Sequence, residues 1–235
     1  MYMRSRKERL ADSRLYVLID RKVCADRGID IFGLAEKLRD AGVGLVQLRD
    51  KVSPLSRIKQ EAAGLAGVFT GSETLFILND HADIALDCGC DGVHLGQSDM
   101  PAHEARRLMG REKIIGISCS SLEQAFAAQS AGADYLGIGP VFPTATKECS
   151  AYAGLALVDV LVSRGALAPI GAKSPIGAKS PKVKVPFFCI GGICAANLPE
   201  LLRAGAGRVA VCSAVITAAD PAAEVERFTA LLRRR

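Results

Sequence analysis

Tryptophan is absent, and aromatic residues make up only 5% of a chain that is 49% hydrophobic. The apolar content is therefore valine, isoleucine, leucine, alanine and glycine, the chemistry of buried parallel strands covered by helices. No apolar run reaches about 18 residues, which excludes a membrane-spanning helix. The basic start MYMRSRKERLADSRLYVLID lacks a separate apolar stretch with a cleavage site, so it does not read as a secretory signal. Net charge is low once it is placed. Of the overall +5, residues 1–10 carry +3 and Arg233, Arg234 and Arg235 another +3, which leaves −1 for the rest. An excess confined to two ends reads as solvated tails rather than as a nucleic-acid surface. There are eight cysteines, but Cys88 and Cys90 stand too close for an ordinary zinc pair and no second pair of zinc spacing exists. Cys189 and Cys212 fall in expected buried strands, where a thiol acts as a small apolar residue. Reduced thiols in a cytoplasmic enzyme are the expectation.

What is present is a repeating junction. Ala41-Gly42 leads into Val43 to Leu48, Cys88-Gly89 into Gly92 to Leu95, Ala131-Gly132 into Tyr135 to Ile138, and Ala204-Gly205 into Val209 to Val211. Each time a small residue and a glycine end a helix, and a short apolar strand follows. Adding the remaining apolar runs gives eight strands, at 15–19, 44–48, 75–79, 92–95, 113–117, 135–139, 186–190 and 208–212. Amphipathic stretches separate them, such as Asp30 to Ala41, Leu122 to Ala131 and Leu198 to Ala204. Eight βα units in 235 residues predict a single-domain α/β protein, a (βα)8 TIM barrel, which typically takes about 250 residues. The domain is expected over 15–235, after a basic arm at 1–14. A doubly wound open sheet is the alternative, weakened because no GxGxxG follows the first strand. One segment stands outside the pattern. In Pro169 to Lys184 the unit IGAKSP occurs twice in tandem, which reads as a soluble insertion between the sixth helix and the seventh strand.

In a parallel barrel the C-terminal strand ends share one face, and chemistry sits there. The stretch Leu75 to Asp99 delivers Asn79-Asp80 past one strand and Asp99 past the next. Two carboxylates at neighbouring strand ends suit a hard cation bridging to a phosphate, above all Mg²⁺; they could equally be loop residues or helix N-caps. By period two, Gln47, Arg49 and Lys51 point one way and form an oxyanion cradle. The fifth strand gives Ser118. The sixth gives Thr144, Thr146 and Lys147 within GPVFPTATK. Gly191-Gly192 and Cys212-Ser213 follow the last two strands. The pocket thus offers two anion sites. Arg49, Lys51, Lys147 and a metal on Asp80 and Asp99 suit a diphosphate. Thr144, Thr146, Gly192 and Ser213 suit a monophosphate. The histidines, His81, His94 and His103, form no convincing Ser-His-Asp set, and His94 reads as an interior hydrogen-bonded residue. Charge stabilisation is expected over general base catalysis.

Seven motifs in this order resemble the thiamine-phosphate synthase family: QLRDK (47–51), ND (79–80), DGVHLGQSD (91–99), GIS (116–118), GPVFPTATK (139–147), GGI (191–193) and VCSAV (211–215). The resemblance covers Leu15 to about Ala230. It implies a transferase of thiamine biosynthesis that joins a hydroxymethylpyrimidine diphosphate to a thiazole phosphate and releases pyrophosphate. Gln47, Leu48, Arg49, Asp50, Lys51, Asn79, Ser118 and Lys147 would hold the pyrimidine diphosphate, with Arg49, Lys51, Ser118 and Lys147 catalytic. Asp80 and Asp99 would bind Mg²⁺. Thr144, Ala145, Thr146, Gly192, Cys212 and Ser213 would line the thiazole phosphate site. Partners are small-molecule substrates, with no nucleic acid and no membrane, and a homo-oligomer is left open. The chain departs from the family pattern at Cys119-Ser120-Ser121, where many relatives carry a histidine, at Cys212, and in the IGAKSP repeat. The thiazole tautomerase of the same family needs a histidine after the fifth strand. That activity, and a non-catalytic barrel binding phosphorylated metabolites, are the alternatives.

Overall fold

The computed structural model describes residues 4–144, 154–163 and 182–233. Eight parallel strands pair in chain order: β1 (Leu15–Asp20), β2 (Leu45–Arg49), β3 (Leu75–Asn79), β4 (Gly92–Leu95), β5 (Ile114–Cys119), β6 (Tyr135–Ile138), β7 (Phe187–Ile190) and β8 (Val209–Val211). Pairing of β8 with β1 closes the barrel, so no open sheet edge remains. The open-sheet alternative is therefore excluded. Around the strands lie α1 (Arg6–Asp12), α2 (Arg21–Asp26), α3 (Ile31–Asp40), α4 (Leu55–Phe69), α5 (Ala82–Asp87), α6 (Ala102–Met109), α7 (Leu122–Ser130), α8 (Gly154–Ser163), α9 (Leu198–Arg203), α10 (Ser213–Ile216) and α11 (Pro221–Arg233). The ends expected for α3 are its caps. Asp30 accepts hydrogen bonds from the Phe32 and Gly33 N–H groups, and Ala41 closes the last turn.

Alternation along the strands sorts the chain into two apolar layers. Val17, Ile19, Val46, Leu48, Val93 and Leu95 face outward and bury against the helices. Tyr16, Leu18, Leu45, Leu75, Ile77, Ile114, Tyr135 and Phe188 face inward and fill the lower barrel. The same inward rows become polar toward their C-terminal ends: Leu45 gives way to Gln47 and Arg49, Ile77 to Asn79, and Ile114 to Ser118. Gly116 is required in this interior, because a Cβ there would lie 2.1 Å from Cζ of Tyr135.

The N-terminal arm is not the solvated tail expected from its charge. Ser5 and Glu8 cap α1 reciprocally, which leaves Leu10 only 3% exposed among the inward-facing residues. Burying a leucine side chain contributes about 1.5–3 kcal/mol. The basic residues are drawn onto the barrel's underside with it. Arg6 Nε donates to Asp91 Oδ1 at 2.6 Å, and Arg9 donates to the Ser72 carbonyl at 3.0 Å. The expected β8 also runs too far. Cys212 lies past Val211 as the N-cap of α10 and is half-buried rather than buried in a strand. Seven cysteines, among the described residues, carry free thiols. The tandem IGAKSP unit lies outside the described residues, and no helix among them is long and apolar enough to cross a membrane.

Candidate active site

A cavity of about 1060 Å³ opens at the C-terminal strand ends. It brings together the side chains of Gln47, Arg49, Lys51, Asn79, Asp80, Asp99, Ser118, Thr144, Cys212 and Ser213, with the Gly192 backbone. Leu48 and Asp50 do not line it. Leu48 faces the helix layer with no exposure, as strand alternation demands. Asp50 turns into its own loop, where Oδ1 accepts the Val52 and Ser53 N–H groups, both at 2.9 Å. The assignments to Ala145, Thr146 and Lys147 fall outside the described residues.

On one wall, each cation meets a carboxylate. Arg49 pairs with Asp20, and Lys51 pairs with Asp80. Asp80 has φ of +67°, a left-handed conformation that only glycine adopts without cost, and its N–H is held by the His94 carbonyl at 2.8 Å. That backbone turn brings its carboxyl within hydrogen-bonding reach of Asp99. Burial and the Asp99 neighbour push Asp80 above the usual carboxylate range despite Lys51. Burial acts upward on Asp99 too, but the hydrogen bonds from Asp80 and from the Gly96 N–H, at 2.6 Å, hold it down. Two carboxyls this close, on oxygen donors alone, fit a hard divalent cation. Among the described residues no group of three or more His, Cys, Asp or Glu could hold a metal, so the remaining ligands would be water and substrate oxygens. Asn79 adds a buried side-chain amide nitrogen with no hydrogen-bond partner. Such a group carries a cost that a ligand oxygen would remove.

The floor holds a network of which Gln47, His94 and Ser118 were singled out in the sequence, and Tyr16 and Tyr135 were not. Gln47 donates to the Tyr16 hydroxyl, which lies 2.9 Å from the Tyr135 hydroxyl. Tyr135 lies 3.0 Å from His94 Nδ1, and His94 Nε2 lies 2.9 Å from Ser118 Oγ. His94 is thus an interior hydrogen-bonded residue, as expected. Its contact with Ser118 was not foreseen. The group beyond His94 in this array is a tyrosine rather than a carboxylate, so the array is not a Ser-His-Asp set. Tyr16 and Asp20 were missed because the reading of β1 stopped at Ile19. Extending the period-two row Tyr16, Leu18, Asp20 would have found both.

On the opposite wall Gly191 and Gly192 have φ of +102° and +61°. A Cβ on Gly192 would lie 2.2 Å from the Pro143 carbonyl oxygen. The pair of glycines therefore lets the loop after β7 close onto the loop after β6, as well as leaving backbone N–H groups open to an anion. Cys212, just past the β8 strand that pairs with β1, lines the cavity near Asp20 and Arg49, and burial pushes its thiol up to about 12. Cys119, one residue past Ser118, is buried with its thiol also at about 12, so it offers no base near neutral pH.

Fold and site together define a parallel (βα)8 barrel with paired carboxylates and cations at the C-terminal strand ends. Residues 15–215 match the family model described as thiamine monophosphate synthase, TMP-TENI. The chain belongs to this family. It is 41% identical over 228 residues to the thiamine-phosphate synthase of Synechococcus sp., covering 97% of this chain and 59% of that one. It is 35% identical over 226 residues to the thiamine-phosphate synthase of Halalkalibacterium halodurans, covering 96% of this chain and 98% of that one. The chain thus spans little more than half of the first relative and nearly all of the second. The solved structure of thiamine phosphate pyrophosphorylase from Pyrococcus furiosus superposes with a TM-score of 0.75 at 30% identity, covering 96% of each chain.

Proposed function

We propose that the protein is a thiamine-phosphate synthase, a transferase that condenses a hydroxymethylpyrimidine diphosphate with a thiazole phosphate, carboxylated or not, and releases pyrophosphate. The observation that carries this reading is the division of one cavity into two unlike walls. Arg49, Lys51, the unpartnered Asn79 amide and the Asp80–Asp99 pair stand on one side, and Thr144, Gly192 and Ser213 on the other. The first set suits a diphosphate and the second a monophosphate, through backbone and hydroxyl donors after β6, β7 and β8.

Asp80 and Asp99 would hold Mg²⁺, which when bound supplies charge neutralisation to the diphosphate oxygens. The chain's own groups do the rest. Arg49 donates to the departing pyrophosphate, and Lys51, released from Asp80, adds a second cation there. Ser118 presents its hydroxyl to the pyrimidine diphosphate, held from behind by His94. Lys147 is assigned to the same leaving group. Thr144, Gly192, Cys212 and Ser213, with Ala145 and Thr146 assigned to the same group, orient the thiazole phosphate so that its ring nitrogen meets the pyrimidine methylene carbon in line. The C–O bond breaks first, because the aminopyrimidine ring stabilises the resulting cation. No protein nucleophile or base takes part, in keeping with an array in which a tyrosine, not a carboxylate, stands behind the His94 that contacts Ser118. A tautomerase reading lacks support, since that activity needs a histidine after β5 and Ser120 and Ser121 follow Cys119 there.

The test mixes the full chain with both substrates and Mg²⁺ and follows pyrophosphate and thiamine phosphate together. Equal production of both, stopped by a chelator, is the expected result. Binding of thiazole phosphate without product would overturn the synthase reading.

A further inference from the structure

Arg49 is held from behind by a residue outside the seven motifs. Asp20 ends β1 directly opposite Arg49 in the strand register, and its side chain is 3% exposed where that of Arg49 is 21% exposed. One carboxylate oxygen accepts the Val23 N–H at 3.1 Å and caps α2. The other accepts from Arg49 Nη1. The Arg49 side chain makes no other hydrogen bond among the described residues, and it lines the cavity, so its remaining donors are presented there. A guanidinium has five N–H donors in a rigid plane, and fixing one edge fixes where the others point.

Capping alone does not account for a carboxylate here. One oxygen suffices for the Val23 N–H, and asparagine or serine would provide it without charge. A buried negative charge is costly unless paired, and it opposes anion binding in the same cavity. We propose that Asp20 is a positioning residue: its carboxylate, anchored by the cap of α2, holds the Arg49 guanidinium in the orientation that meets the diphosphate, so anion affinity depends on Asp20 although Asp20 touches no anion. This deepens the synthase reading and rests on it for the identity of the anion. The loop beyond Arg49 is held in the same spirit by Asp50, which fixes the turn that carries Lys51.

Asp20→Asn keeps an oxygen for Val23 and loses the charge partner of Arg49. Asp20→Ser does the same with a shorter side chain and serves if the asparagine variant fails to fold. Steady-state kinetics of the full chain are expected to show KM for the pyrimidine diphosphate raised about tenfold, as for other residues that orient a first ligand. KM for thiazole phosphate should not change. In an Arg49→Ala background the same substitution should have no further effect, because the group it orients is gone. Equal rises in both KM values, or an undiminished effect without Arg49, would overturn the proposal. If the unaltered protein yields no thiamine phosphate, the synthase reading falls while the proposal remains readable. Titration with inorganic pyrophosphate and Mg²⁺ should then show about tenfold weaker binding in Asp20→Asn, and unchanged binding would refute it.

Discussion

Tyr135→Phe isolates the hydrogen bonds on the barrel floor from its packing. The ring of Tyr135 is fully buried and packs edge to face with Tyr16 at 5.8 Å and with Phe188 at 5.7 Å. Phenylalanine keeps those contacts and the volume over Gly116. Only the hydroxyl is removed, and with it the bonds to Tyr16 at 2.9 Å and to His94 Nδ1 at 3.0 Å. Each buried bond is worth about 1 kcal/mol net, so the loss is about 2 kcal/mol. A domain of this size loses about 2–4 °C of Tm per kcal/mol, which gives about 4–8 °C. His94 also loses the Tyr135 contact that helps fix its ring, and through it Ser118 loses orientation, so kcat should fall as well. Thermal unfolding followed by circular dichroism, with kcat from the coupled product assay, reads both. A Tm shift below about 2 °C together with an intact kcat would refute the idea that the floor acts as one connected network.

Leu10→Ala should cost about 2–5 kcal/mol, because the plug of the lower barrel loses its buried methyl groups; a thermal melt should fall by at least about 4 °C while both KM values stay put. Asp99→Ala should remain folded by circular dichroism yet lose Mg²⁺-dependent pyrophosphate binding in a calorimetric titration. Unchanged binding would remove Asp99 from the metal site. Gly192→Ala brings a Cβ to 2.2 Å from the Pro143 carbonyl oxygen at a φ of +61°, so the two loops must part. A misplacement of about 1 Å can cost about 100-fold in rate, and kcat/KM for thiazole phosphate should fall most.

The barrel was legible because its signals are local. Each Ala-Gly or Cys-Gly junction marks a helix end, and each short apolar run has one role in a closed parallel sheet. The carboxylates at Asp80 and Asp99 were legible for the same reason, since a strand end fixes its own position. Leu48 and Asp50 were misplaced because a contiguous motif, QLRDK, was taken whole, whereas a strand sends alternate residues to opposite faces and the turn bends Asp50 back on itself. The role of α1 was hidden by its charge. Its Ser5-to-Glu8 capping pattern was present, but a lone leucine among arginines carries no periodicity. The floor network was illegible for another reason: Tyr16, Gln47, His94, Ser118 and Tyr135 come from five strands, and only barrel closure makes them neighbours.

Leu10 and the apolar tier above it turn the barrel into a blind well. Nothing passes through its base, so reactants and products share one mouth. The plug at the base, remote from the chemistry, thereby makes the open end at the C-terminal strand ends the one approach that the described residues leave to the cavity.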